Sequence, residues 1–108
     1  MQLTIERAIK ALAADPAHTV GLDDRGILSI GRKADINVID HGAVMLPRPT
    51  IRYDLPAGGR RLDQGASGYD ATIVSGTVIA REGVPTGALP GRLVRGARAA
   101  PVSQGPAN

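Results

Sequence analysis

The chain has 108 residues and a formal charge of +3, with two aromatic residues (Tyr53 and Tyr69), no Phe, Trp or Cys, and 14 Gly against 8 Pro. Lack of cysteine removes disulfide scaffolds, Cys-ligated zinc, iron–sulfur clusters and thiol nucleophiles, and Glu6, Arg7, Lys10 and Asp15 interrupt any signal-peptide or membrane-spanning apolar run near the start. What remains is one small, turn-rich domain, read as cytoplasmic, with a core expected from Ile, Leu, Val, Ala and Met.

Thr4 is a good helix N-cap, Glu6 falls in the first turn where the helix dipole favours a carboxylate, and Ile5, Ala8, Ile9 and Leu12 recur at helical spacing. The pattern predicts a helix over about 5–14. Asp15-Pro16 repeats the start signal and Gly21 supplies a stop, so a short second helix follows. From Gly26 the period changes. Gly31-Arg32-Lys33 reads as a turn, and 34–40 alternates Ala34, Ile36 and Val38 against Asp35 and Asn37, a strand whose first set is expected to face the core. Residues 41–68, with Pro47, Pro49, Pro56 and five glycines, read as a long loop holding at most a short strand near Thr50–Tyr53. Two β-branched runs, 71–75 and 77–81, meet at Ser75-Gly76 as a hairpin. The basic excess lies mainly in the tail, at Arg92, Arg95 and Arg98, and residues 96–108 are expected to be a disordered tail.

No catalytic template is complete. His18 and His41 lie in different elements with neither H-x-H nor H-E-x-x-H spacing. Asp23 and Asp24 adjoin Arg25 in a turn, where adjacent carboxylates do not converge on one substrate. Gly26–Lys33 imitates a phosphate-binding loop, but Arg32 and Lys33 stand where Lys and a hydroxyl are required, and a strand follows instead of a helix. Ser29, Ser67, Ser75 and Ser103 lack the G-x-S-x-G context. Arg60-Arg61 and the tail arginines could attract phosphates, yet two tyrosines offer little stacking surface, so a solvated face is the better reading and no nucleic-acid or membrane partner is expected.

The ordered set Gly21-Leu22-Asp23-Asp24-Arg25-Gly26-Ile27-Leu28, Gly31 to Asp40, Asp54-Leu55-Pro56-Ala57-Gly58-Gly59-Arg60-Arg61-Leu62, Val74-Ser75-Gly76-Thr77-Val78 and Thr86-Gly87-Ala88-Leu89-Pro90-Gly91-Arg92 resembles the C-terminal part of metal-dependent amidohydrolases. Through 54–62, Gly68-Tyr69 and 86–92, the branch it is most similar to is the N-acyl-D-amino-acid deacylases (D-aminoacylases). The resemblance implies a parent enzyme that hydrolyses the amide C–N bond of N-acyl-D-amino acids with zinc. Its ligands and catalytic Asp would sit at the strand ends of a (β/α)8 barrel, which this sequence lacks. What it implies for this chain is a mostly β fold with one or two N-terminal helices, a partial β-sandwich without the barrel. A helical segment 1–21 would be followed by a sandwich-like domain 22–95. No catalytic, cofactor-binding or metal-binding residue can be carried over, so the chain itself is expected to be inactive and to hold no cofactor. Arg60 or Arg61 could reach a substrate carboxylate at the barrel mouth, with surface salt bridging as the alternative. The expected partners are the missing barrel or a second copy in a homodimer. The alternative function is a free-standing β module for oligomerisation or binding.

Overall fold

The computed structural model describes residues 2–96; the disordered tail expected over 96–108 therefore lies almost wholly outside the described residues. Two helices open the chain, α1 (Ile5–Leu12) and α2 (Ala14–Thr19). The Thr4 hydroxyl accepts the Arg7 N–H at 3.3 Å, as its capping pattern predicts. The single helix expected over 5–14 breaks at Ala13, whose backbone leaves helical geometry. Pro16 contributes to that break, because its ring disfavours a continuous helix through the preceding turn. Lys10 and Asp15 bridge the kink at 2.7 Å.

Six strands follow: β1 (Ile36–Ile39), β2 (Thr50–Leu55), β3 (Gly59–Asp63), β4 (Tyr69–Val74), β5 (Thr77–Arg81) and β6 (Val84–Pro85). They form an antiparallel four-stranded sheet ordered β1-β4-β5-β6 and a separate two-stranded ribbon, β2-β3. The chain is therefore mostly β with N-terminal helices, and no barrel occurs among the described residues. Ser75 (φ 50°) and Gly76 (φ 79°) make the β4–β5 connection, and Glu82 (φ 49°) and Gly83 (φ 79°) the β5–β6 connection. Both are two-residue turns with two positive φ angles, whose twist matches that of the strands they join. The sheet ends at β6, only two residues long and closed by Pro85.

Two expectations need correction. The segment 41–68 is not a long loop: β2 and β3 form a hairpin within it, flanked by short turns at His41–Ala43 and Pro56–Gly58. Its prolines lie outside the paired stretches, where a missing N–H costs nothing. Nor does the Ile36/Val38 face enter a core. Val38 is 44% exposed, and among the described residues Ala17 is the buried apolar side chain, at 9%. The physical reason is that, among the described residues, no helix and no second sheet packs closely on this sheet. A radius of gyration of 17.2 Å and extents of 57 × 37 × 26 Å contrast with roughly 13 Å for a compact chain of about 100 residues.

Gly68 (φ +91°) is the tightest backbone approach outside the turns: a Cβ there would stand 2.7 Å from the Val44 Cα and N. It lets the chain pass 43–45, where Asp40 N–H donates to the Gly68 carbonyl at 2.8 Å and Met45 pairs with Ser67. Gly68→Ala should therefore cost more than about 2 kcal/mol, strain plus clash, and expose the Asp40 and Met45 amides to exchange. Gly83→Ala, with open space around its Cβ, should cost only about 1–2 kcal/mol and leave those amides unchanged. Hydrogen exchange by NMR separates the two.

Candidate functional site

The residues carrying the sequence motif converge at one point between the helices and the sheet. The Arg25 side chain is 16% exposed. Its Nε and Nη2 donate to Asp24 Oδ1 and Oδ2 at 3.0 and 3.2 Å, and its Nη1 lies 3.5 Å from Asp35 Oδ2. The hydrogen bonds to Asp24 raise the guanidinium pKa above its ordinary value against the opposing effect of burial, and the charges of Asp24 and Asp35 add to them. Asp35 is shared: its Oδ1 accepts the Ser75 N–H at 2.9 Å, inside the β4–β5 turn. Around this node Lys33 N–H donates to the Asp24 carbonyl at 2.8 Å, Gly76 N–H to the Ala34 carbonyl at 3.0 Å, and the Arg32 guanidinium to the Asp23 carbonyl. Gly26 (φ +95°) lies so close to α2 that a Cβ would stand 2.7 Å from the Ala17 Cβ and 3.1 Å from the Ala13 carbonyl oxygen. Only glycine permits that approach.

Beside the node an open cleft of about 520 Å³ lies between α1, contributing Ile9 and Leu12, the loop at Ile27 and Leu28, and β1 at Ile36 and Ile39. It is chiefly apolar. An arginine held by two carboxylates next to such a cleft orients segments of chain. Ser29, Lys33, Asn37 and Tyr69 supply polar groups that line the cleft.

The other sequence candidates fall apart from this node. His18 is almost fully exposed, its Nδ1 3.9 Å from Asp23 Oδ1, and His41 opens an exposed short turn. Gly26–Lys33 runs as loop and turn into β1, not into a helix N-terminus. Ser67 donates to the Ala43 carbonyl at 3.5 Å, and Ser75 is a turn residue. Ser103 and Arg98 lie outside the described residues. In the ribbon, Arg61 grips Asp54 through two hydrogen bonds of 2.7 and 2.8 Å and approaches Asp63 at 3.5 Å, while Arg52 lies 2.6 Å from Asp63. Arg60 is exposed and makes no ion pair among the described residues. Sequence reasoning missed the pairing of Arg25 with Asp35. The signal was available, since both belong to the motif D-R-G-x-L-x-x-G-x-x-A-D.

That motif spans residues 24–35, and the chain matches the amidohydrolase family over residues 1–80. The chain belongs to the amidohydrolase family. It is 33% identical over 93 residues to an N-acyl-D-glutamate deacylase of Alcaligenes xylosoxydans xylosoxydans, a match covering 86% of this chain and 17% of that enzyme. No solved structure matches the chain. Amidohydrolases are typically metal-dependent, but the donors here do not fit a metal site: among the described residues no three His, Asp or Glu side chains gather into a ligand set. None of the described helices is long and apolar enough to cross a membrane.

Two outcomes are expected. Asp35→Ala removes the acceptor of the Ser75 N–H and one partner of Arg25. It should destabilise the chain by about 1–3 kcal/mol and speed Ser75 amide exchange, whereas Asp35→Asn, which keeps an acceptor, should cost less; denaturant melts and NMR exchange test both. The Asp54 carboxyl is held below its ordinary 3.8, first by the Arg61 hydrogen bonds. A depressed folded pKa contributes stability above the unfolded value and loses it as pH falls through the folded one. The Asp54–Arg61 pair should therefore persist across neutral pH and loosen only below 3.8. Carboxyl NMR titration should show the Asp54 midpoint returning to its ordinary range in Arg61→Gln.

Proposed function

We propose that this chain is the non-catalytic, C-terminal supporting segment of a deacylase-type amidohydrolase, one that hydrolyses the amide C–N bond of an N-acyl-D-amino acid. N-Acyl-D-glutamate is the first substrate to test. The observation that carries this reading is the inversion of the usual packing. Leu12, Leu28 and Ile30 are 78%, 87% and 99% exposed, while Ala17 alone is a buried apolar side chain among the described residues. A chain that spans 17% of the relative it matches and leaves its apolar faces open has its core in common with something else. Covering each such side chain is worth about 1.5–3 kcal/mol, which a catalytic barrel would supply. The helical portion 1–21 and the strand portion 22–95 would brace that barrel, and zinc would be held by barrel residues. The same reading sets the enzyme in the cytoplasm, where a chain without cysteine forgoes no disulfide.

Separated from the rest, the chain pairs through the same uncovered faces, Ile5, Ile9 and Leu12 of α1 meeting a second copy as a two-fold dimer. Analytical ultracentrifugation should show Ile9→Lys shifting the chain to monomer and Arg92→Ala leaving it unchanged. The purified chain should hold no stoichiometric zinc by elemental analysis and should not release glutamate from N-acetyl-D-glutamate. About one tightly bound zinc per chain, with turnover lost in His18→Ala, would overturn the reading.

A further inference from the structure

The kink at Ala13 divides the helical pair into a part that is held and a part that can turn. α2 is held against the loop before β1: Gly26 lies against Ala13, Ala14 and Ala17, and the Leu22 N–H donates to the Ala17 carbonyl at 2.8 Å. α1 packs closely on α2 and on no other element among the described residues. Ala13 joins the two with φ −126° and ψ −67°, outside helical geometry. Its carbonyl faces Gly26 while its N–H donates back into α1, to the Ile9 carbonyl at 3.0 Å, so rotation at this residue moves α1 and leaves α2 in place. One exposed ion pair, Lys10 to Asp15 at 2.7 Å, spans the joint, and such pairs are weak. Ala13 also lines the cleft between α1 and β1. The two walls of that cleft match in chemistry, Ile9 and Leu12 on α1 opposite Ile27, Leu28, Ile36 and Ile39, and Ile9 and Ile27 are each 49% exposed.

We infer that α1 is a lid that closes this cleft by turning about Ala13, and that in closing it withdraws the Ile5, Ile9 and Leu12 stripe from a second copy. The second half rests on the α1 dimer proposed above; the first stands on this chain alone. What fills the cleft is already in place as its opposite wall. It is tethered at the cleft's edge, at the high effective concentration that a short link confers, and it pays no association entropy. Closure takes the apolar surface of both walls out of water at once. Charge agrees. Lys33 lines the cleft, and Glu6 stands three residues before Ile9, beside it on the helix surface. Neither makes an ion pair among the described residues, and closure brings the two opposite charges together. Two copies pair only from the open form, so the apparent dimer affinity falls with the fraction of each copy that is open.

The chain has no cysteine, so an introduced pair reads closure without interference. Ile9→Cys combined with Ile36→Cys should oxidise within one chain at low micromolar concentration. The product should sediment as a monomer, while its reduced form still dimerises. Arg7→Cys combined with Ile36→Cys should not cross-link, because Arg7 lies about 200° round the helix from Ile9. Adding Lys10→Ala, which removes the brace across the joint, should speed the first cross-link about two- to fivefold, the worth of an exposed ion pair. Disulfides formed only between chains, no disulfide at all, equal rates for the two cysteine pairs, or a cross-linked chain that still dimerises would each overturn the inference. Should the double variant not fold, methyl NOEs between Ile9 and Ile36 in the unsubstituted chain read the same contact, and their absence at low concentration overturns it. Failure of the dimer reading looks different: the unsubstituted chain would sediment as a monomer at every concentration, while the Ile9–Ile36 cross-link still formed within one chain.

Discussion

Everything in this chain hangs on the double engagement of Asp35, one oxygen toward Arg25 and the other on the Ser75 amide. The loop before β1 is fastened through it to the far end of the β4–β5 hairpin, and through Gly26 to α2. In most small domains such a junction is made by buried apolar side chains. Here it is made by charge-assisted hydrogen bonds, which depend on direction and distance. The choice has a reason. With no apolar layer between helices and sheet, only directional bonds can fix how one sits on the other. Arg25 is already largely shielded, so removing a carboxylate from it would leave a charge that water reaches poorly.

The same geometry explains why the elements are sound while the whole is open. Each hairpin is closed by local means: paired positive-φ turns in the sheet, ion pairs in the ribbon. These supply registers and twist, which are set by near neighbours in sequence. They supply no burial, which needs layers stacked face to face. A family member matched over its first 80 residues thus carries well-formed supersecondary parts whose apolar faces stay largely uncovered among the described residues.

How much of this could be read in advance follows from the same division. The Thr4 cap and the β4–β5 hairpin at Ser75-Gly76 were legible because each rests on contacts within a few residues, and the strand around Ile36–Ile39 because its side chains alternate, although its partner β4 lies far along the chain. Of the β2-β3 ribbon only the short strand near Thr50–Tyr53 was legible, and β2 carries it on to Leu55; the prolines and glycines around it masked β3 and the hairpin. The burial of Ile36 and Val38 was expected from alternation, but alternation states which side chains share a face and not whether anything covers it. The Arg25–Asp35 link joins positions that only the folded loop brings together. It was visible solely as two letters of a motif whose spacing has no periodic meaning.

The ends of the four-stranded sheet are unequal. β6 is two residues long and finishes in Pro85, a residue with no N–H to offer, so it gives a further strand little to pair with. β1 is a full-length margin with its outer amides and carbonyls unpaired by any described strand. A sheet with two live margins can grow without limit, copy upon copy, into a fibre. One with a single live margin stops after one addition. The short, proline-ended strand therefore disfavours growth of this sheet from the β6 side.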